Sequence, residues 1–182
     1  MGQAIPFAAP DRPAWPDRTA ALDSAECTLL VSIRWWVVAF RDNAPAVPRL
    51  RRGLAFVGAA DAALSVDSLM AIAAASNRHP LAIHWPRCTC LSDDELVFLH
   101  AASLVQHGDA ARAGRVLAAT LLTDDGAAFA CAPLAGLGTL FAGCGLRFSR
   151  RRPPIPGGAA PDHADCPADP RPGALPHSGV LH

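Results

Sequence analysis

The sequence contains no lysine and no tyrosine, and only two of its 16 acidic residues, Glu26 and Glu95, are glutamate. Without lysine there is no Gly-rich phosphate loop of the Walker type, which needs that side chain on the phosphates. Neither a G-x-S-x-G nucleophile elbow nor an H-E-x-x-H zinc motif occurs. The 16 basic residues, all arginine, cancel the 16 acids, and no basic block interrupts the balance. Nucleic-acid binding is therefore not expected, because phosphate neutralisation needs clustered cations. Six cysteines among 182 residues fall well short of a disulfide scaffold.

What the chain has in excess is alanine, 38 residues, and proline, 17 residues. Together with all-arginine cations this composition points to a GC-rich, bacterial coding sequence. A hydrophobic content of 51% excludes a chain disordered from end to end. The prolines are not evenly spread: 12 of the 17 fall in the first 19 or the last 34 residues. We expect residues 1–19 to form a flexible Pro-rich leader, with Trp15 as a docking residue. Residues 149–182 are expected to be a disordered Pro/Gly/Ala-rich tail. The leader lacks a secretory-type signal, so the expected location is cytoplasmic. Residues 20–148 then form one domain.

Within that domain the pattern is helical. From Leu22 to Arg41, at about 100° per residue, Leu29, Ile33, Trp36 and Phe40 share one face. Val31, Trp35 and Val38 make a second apolar surface, and Arg34 and Arg41 form the charged stripe. A helix apolar on two sides belongs at the centre of a bundle or at an interface. Asp42 to Pro45 breaks it. A second helix is expected from near Pro48 to about Leu64, and a third over Ser68–Ser76. Their division stays open at this level. Arg49, Arg51 and Arg52 near the start of the second read as a solvated face.

Ser92-Asp93-Asp94-Glu95 is a capping box that starts a helix ending at His107-Gly108. Asp109 caps the next, Ala110 to about Thr123, giving an αα-hairpin. Through Leu104, Gly108-Asp109, Ala113, Leu117 and Leu121 this hairpin resembles one unit of a tetratricopeptide-type repeat. No second copy follows at the period of about 34 residues, so no repeat array is implied. Residues 127–146 carry no charge and precede Arg147, Arg150, Arg151 and Arg152. That arrangement suggests a membrane span. Pro133, four glycines and the small side chains favour a buried last helix instead.

Ligating groups concentrate in one segment, where His79, His84, Cys88 and Cys90 fall within 12 positions. A His₂Cys₂ set matches the tetrahedral preference of zinc, although the spacing H-x4-H-x3-C-x-C is not that of a familiar finger. A thiol just before the Ser92 helix could also be acidified and reactive. The residues 80–85 are the single strand candidate.

The expected fold is an all-α small helical bundle of five or six helices with disordered Pro-rich ends. The expected function is a non-enzymatic interaction or regulatory module, working through a protein partner or self-association at Val31, Trp35 and Val38. The alternatives are a metal-binding or thiol-redox protein using His79, His84, Cys88 and Cys90, with zinc as the cofactor, and a membrane-associated protein using 127–146.

Overall fold

A computed structural model describes residues 13–154 and 178–181. Among the described residues there are six α-helices: α1 Ser24–Arg41, α2 Ala46–Ala55, α3 Ala62–Ser76, α4 Asp93–Gln106, α5 Ala110–Thr120 and α6 Asp124–Gly143. A short strand, β1 (Leu81–His84), joins α3 to α4. The fold is the expected all-α bundle. The strand falls on the stretch where proline at both ends, Pro80 and Pro86, prevents continuation of a helix.

Local chemistry places the helix starts. Asp23 caps α1 by accepting from Glu26 N at 2.7 Å, while the Glu26 carboxylate accepts from Asp23 N at 2.9 Å. Ser92 and Glu95 form the same reciprocal box at α4. Asp109 and Thr123 cap α5 and α6. Residues 48–76 are two helices, not one. The second ends at Ala55, nine residues earlier than expected. The chain then turns through Gly58, whose φ of 75° lies in the left-handed region open to glycine.

One hydrophobic core joins all six helices, with Leu29, Ile33, Leu69, Phe98, Leu117, Leu134 and Phe141 at its centre. Helix α6 packs on α3, α4 and α5 through Ala127, Ala130, Leu134, Leu137 and Phe141. It is long and apolar enough to cross a membrane; one face is buried in the core, while Phe129 on the other is exposed. Gly126 permits the close approach to α3, whereas Gly138 sits at ordinary contact distance from α4. A Cβ at Gly126 would meet Ser76 Oγ at 2.1 Å, and one at Gly138 would meet Gln106 Cα at 3.4 Å.

Two readings of α1 need correction. Phe40, grouped with the core face, is 46% exposed and stacks on the ring of Trp36. Arg34, assigned to a charged stripe, is 1% exposed. Helix α1 is covered by α2, α3, α4 and β1 together, which leaves little of its circumference to water.

The bundle also extends beyond 20–148. Thr19 N donates to Thr89 O at 2.9 Å, and Arg152 N donates to Pro13 O at 3.0 Å. Ser149 N donates to Asp23 Oδ2 at 2.8 Å, and the Arg151 guanidinium donates to Glu26 Oε2 at 2.8 Å. Residues 178–181 form strand β2 (Ser178–Leu181), antiparallel to β1 with Leu81 opposite Leu181. Composition pointed to flexible ends, but the acids at the start of α1 hold 149–151 in place. The rest of the expected leader and tail, 1–12, 155–177 and 182, lies outside the described residues.

Candidate functional site

Helix α1 carries two sites, one buried and one open. The buried one is centred on Glu95. Its Oε1 accepts from Arg34 Nε at 2.7 Å and from His84 N at 2.9 Å; its Oε2 accepts from Arg34 Nη2 at 2.9 Å and from Ser92 N at 3.0 Å. His84 Nδ1 lies 3.4 Å from the same Oε2. Arg34 spends its remaining donors on backbone: Nη1 to Cys88 O and Nη2 to Cys90 O, both at 2.6 Å. Burial alone would raise the Glu95 pKa. The hydrogen bonds and positive charge of His84 and Arg34 outweigh it and hold the group at about 2. The carboxylate is saturated and enclosed, so this is a clamp on the 84–92 crossover and offers no face to a substrate.

Of the four residues expected to hold zinc, the clamp keeps His84, Cys88 and Cys90 near one another, with Cys90 N 3.4 Å from Cys88 Sγ, and leaves His79 apart. His84 and Cys90 are buried, and His84 Nδ1 sits 3.3 Å from Cys90 O, not from its sulfur. Cys88 is disulfide-bonded and so presents no thiolate. Cys27, Cys90, Cys131 and Cys144 are free thiols. His79 lies at the other end of β1, with Nδ1 3.1 Å from Pro80 O and Nε2 3.1 Å from Thr120 O. Among the described residues no group of three or more His, Cys, Asp or Glu side chains could hold a metal ion.

His79 borders a cavity of about 460 Å³ with Asp93, Asp94, Val97, Val116 and Thr120. The Pro80 carbonyl raises its pKa, burial opposes this, and Asp94, 4.0 Å away, adds to the rise. Burial raises the Asp94 pKa in turn, against the hydrogen bond it accepts from Ala82 N at 2.7 Å. His79 thus donates to the last turn of α5, where carbonyls favour a cation.

The open site lies between α1 and α2. A groove of about 240 Å³ is lined by Val31, Trp35, Leu50, Leu54 and Val57, with Arg49 at its rim. The Arg49 guanidinium carbon sits 3.7 Å from the Trp35 ring centroid, a close cation–π contact. Val31 is 38% exposed and Trp35 half-buried, so both face the groove as expected for a partner surface. Val38 does not: at 4% exposed it belongs to the interior, because the neighbours of α1 close over its second half. Beside the groove stands Phe56, 92% exposed, which the sequence reading passed over. Its signal was available in the apolar Phe56-Val57 pair directly before Gly58, at a turn.

The chain matches no known family, no curated protein and no solved structure.

Proposed function

We propose that this protein is a non-enzymatic interaction module that pairs with a second copy of itself through the α1/α2 face. One observation carries the proposal: an apolar groove opens between α1 and α2, and Phe56, the residue directly before its wall residue Val57, is 92% exposed. A knob and a hole side by side on one surface are self-complementary under two-fold rotation, the symmetry of most homodimers. Trp35 and Arg49 supply the residue types that dominate interface energetics.

Sedimentation velocity over a concentration series tests this reading. The expected result is a monomer–dimer equilibrium for the wild type and a monomer for Phe56→Ser. A wild type that stays monomeric at every concentration, or a Phe56→Ser variant that still dimerises, overturns it. Binding to lipid vesicles or capture of a different protein in place of dimerisation overturns it as well.

The metal alternative has less support, since among the described residues no group of three or more His, Cys, Asp or Glu side chains could hold an ion. A cytoplasmic location, with its cysteines reduced, remains part of the proposal. Thiol titration of protein extracted under alkylating conditions tests this point. Recovery of six titratable thiols from the 182-residue chain would support a reduced, cytoplasmic state.

A further inference from the structure

On the opposite arm of the fold, arginines gather where carboxylates do not. The segment 146–152 crosses the end of α4 as a strap. Gln106 anchors it by donating to Leu146 O at 3.0 Å and accepting from Phe148 N at 2.9 Å. Ser103 Oγ donates to Ser149 O at 2.9 Å. This strap, the end of α4 and the start of α5 enclose a cleft of about 180 Å³ lined by His100, Ser103, Leu104, His107, Asp109, Arg112, Arg150 and Arg151. Three arginines and one aspartate thus line it. Arg151 is paired with Glu26, as Arg34 is with Glu95, Arg51 with Asp61 and Arg78 with Asp124. Arg112 and Arg150 form no ion pair with any described residue. In a chain with equal numbers of both charges, this is a local surplus held on an anchored frame.

We propose that the cleft binds a small phosphate-bearing anion, with Arg112 and Arg150 as its principal partners. Guanidinium groups match the geometry of a phosphate better than any other side chain, and they hold it with charge-assisted hydrogen bonds. The volume falls below the range of about 300–1,000 Å³ for sites that enclose drug-sized molecules. It suits one phosphate group, free or as the head of a small ester. Asp109 does not defeat the site, because its Oδ1 accepts from Arg112 N at 3.2 Å as the cap of α5 and part of its charge is spent there. The proposal rests on none of the residues of the α1/α2 groove, so either can fail alone.

Isothermal titration of the full-length protein with inorganic phosphate and, separately, glycerol 3-phosphate, against chloride at equal ionic strength, is the test. Saturable one-site binding of either is expected, and the tighter of the two identifies a free anion or an ester. Arg112→Ala and Arg150→Ala should each weaken binding by roughly tenfold or more. Arg115→Ala, exposed on α5 outside the cleft, should leave it unchanged. Amide chemical shifts of the wild type, followed during the same titration, supply a readout free of any folding defect: movement should centre on residues 107–112 and 149–151. No saturable binding, or equal weakening by Arg115→Ala, or shifts centred elsewhere, would overturn the proposal.

Discussion

Arg34 and Glu95 stand 61 residues apart in sequence and meet at 2.7 Å, Nε to Oε1, with 1% and 0% of their side chains exposed. Through this pair α1 holds α4, and through the other donors of Arg34 it holds the carbonyls of Cys88 and Cys90. The connection between β1 and α4 is thereby fixed by side chains rather than by a sheet. Two charges are out of water, and every partner they need is present, which is the condition under which a buried ion pair is tolerated.

Removing one member of the pair should therefore be costly. Arg34→Met strips Glu95 of its guanidinium partner and removes the Arg34 donors to the carbonyls of Cys88 and Cys90. The expected loss is about 3–5 kcal/mol of unfolding free energy, measured by urea denaturation followed by circular dichroism. A loss under about 1 kcal/mol would mean that the clamp contributes little beyond what an ordinary substitution removes.

The same carboxylate sets an acid limit. Its pKa is about 2 in the fold against an ordinary 4.5, so the native state binds its proton less readily than the unfolded chain. The stability it contributes is complete above pH 4.5 and is lost as pH falls from there toward 2. Stability measured across this window should fall steeply for the wild type and more shallowly for Glu95→Gln. Parallel slopes in the two proteins would assign the acid sensitivity to other groups.

His79 works in the opposite direction. Its folded pKa is raised above 6.5, so its contribution is complete below that pH and is lost as pH rises through the raised value. His79→Asn should remove this dependence around neutral pH with little effect at pH 9. An unchanged pH profile would show that the contacts to Pro80 and Thr120 do not depend on the imidazolium.

Gly126 should not tolerate a methyl group. An added Cβ would lie 2.1 Å from Ser76 Oγ and 2.5 Å from Ser76 Cβ. Gly126→Ala is expected to cost about 1–3 kcal/mol by overpacking, and a second change, Ser76→Gly, should recover part of it. If the double variant is less stable than the single one, the clash is not the cause.

Two phenylalanines give a contrast between folding and association. Phe98→Ala, at the centre of the core, should cost about 3–5 kcal/mol. Phe56→Ala, on a ring 92% exposed, should change the stability of the dilute protein by no more than about 0.5 kcal/mol. A large stability loss at Phe56 in dilute solution would remove the reason for giving that ring to a partner.

Some of this was legible in the residues alone. The capping box at Ser92–Glu95, the Gly108-Asp109 turn and the apolar periodicity of α4 and α5 are local signals, and the helices start and stop there. The break near Gly58 was less visible, because alanine-rich sequence on both sides continues a helical pattern while a positive φ leaves only a glycine to mark it. Val31 and Trp35 line the groove, a placement that helical spacing of an apolar surface makes legible. Val38 was misplaced because spacing assigns a direction around the helix but not which neighbours cover it.

The sequence by itself determined the helices, their caps and the fold class, since these depend on interactions within a few residues. Tertiary structure decided the rest. It turned Arg34 from a surface charge into the buried partner of Glu95, separated His79 from Cys88 and Cys90, and set Arg112 beside Arg150 across a cleft. The physical reason is the same in each case: charge and ligation energies depend on distance and solvent access. For groups 9 to 61 residues apart, those quantities exist only once the helices have packed.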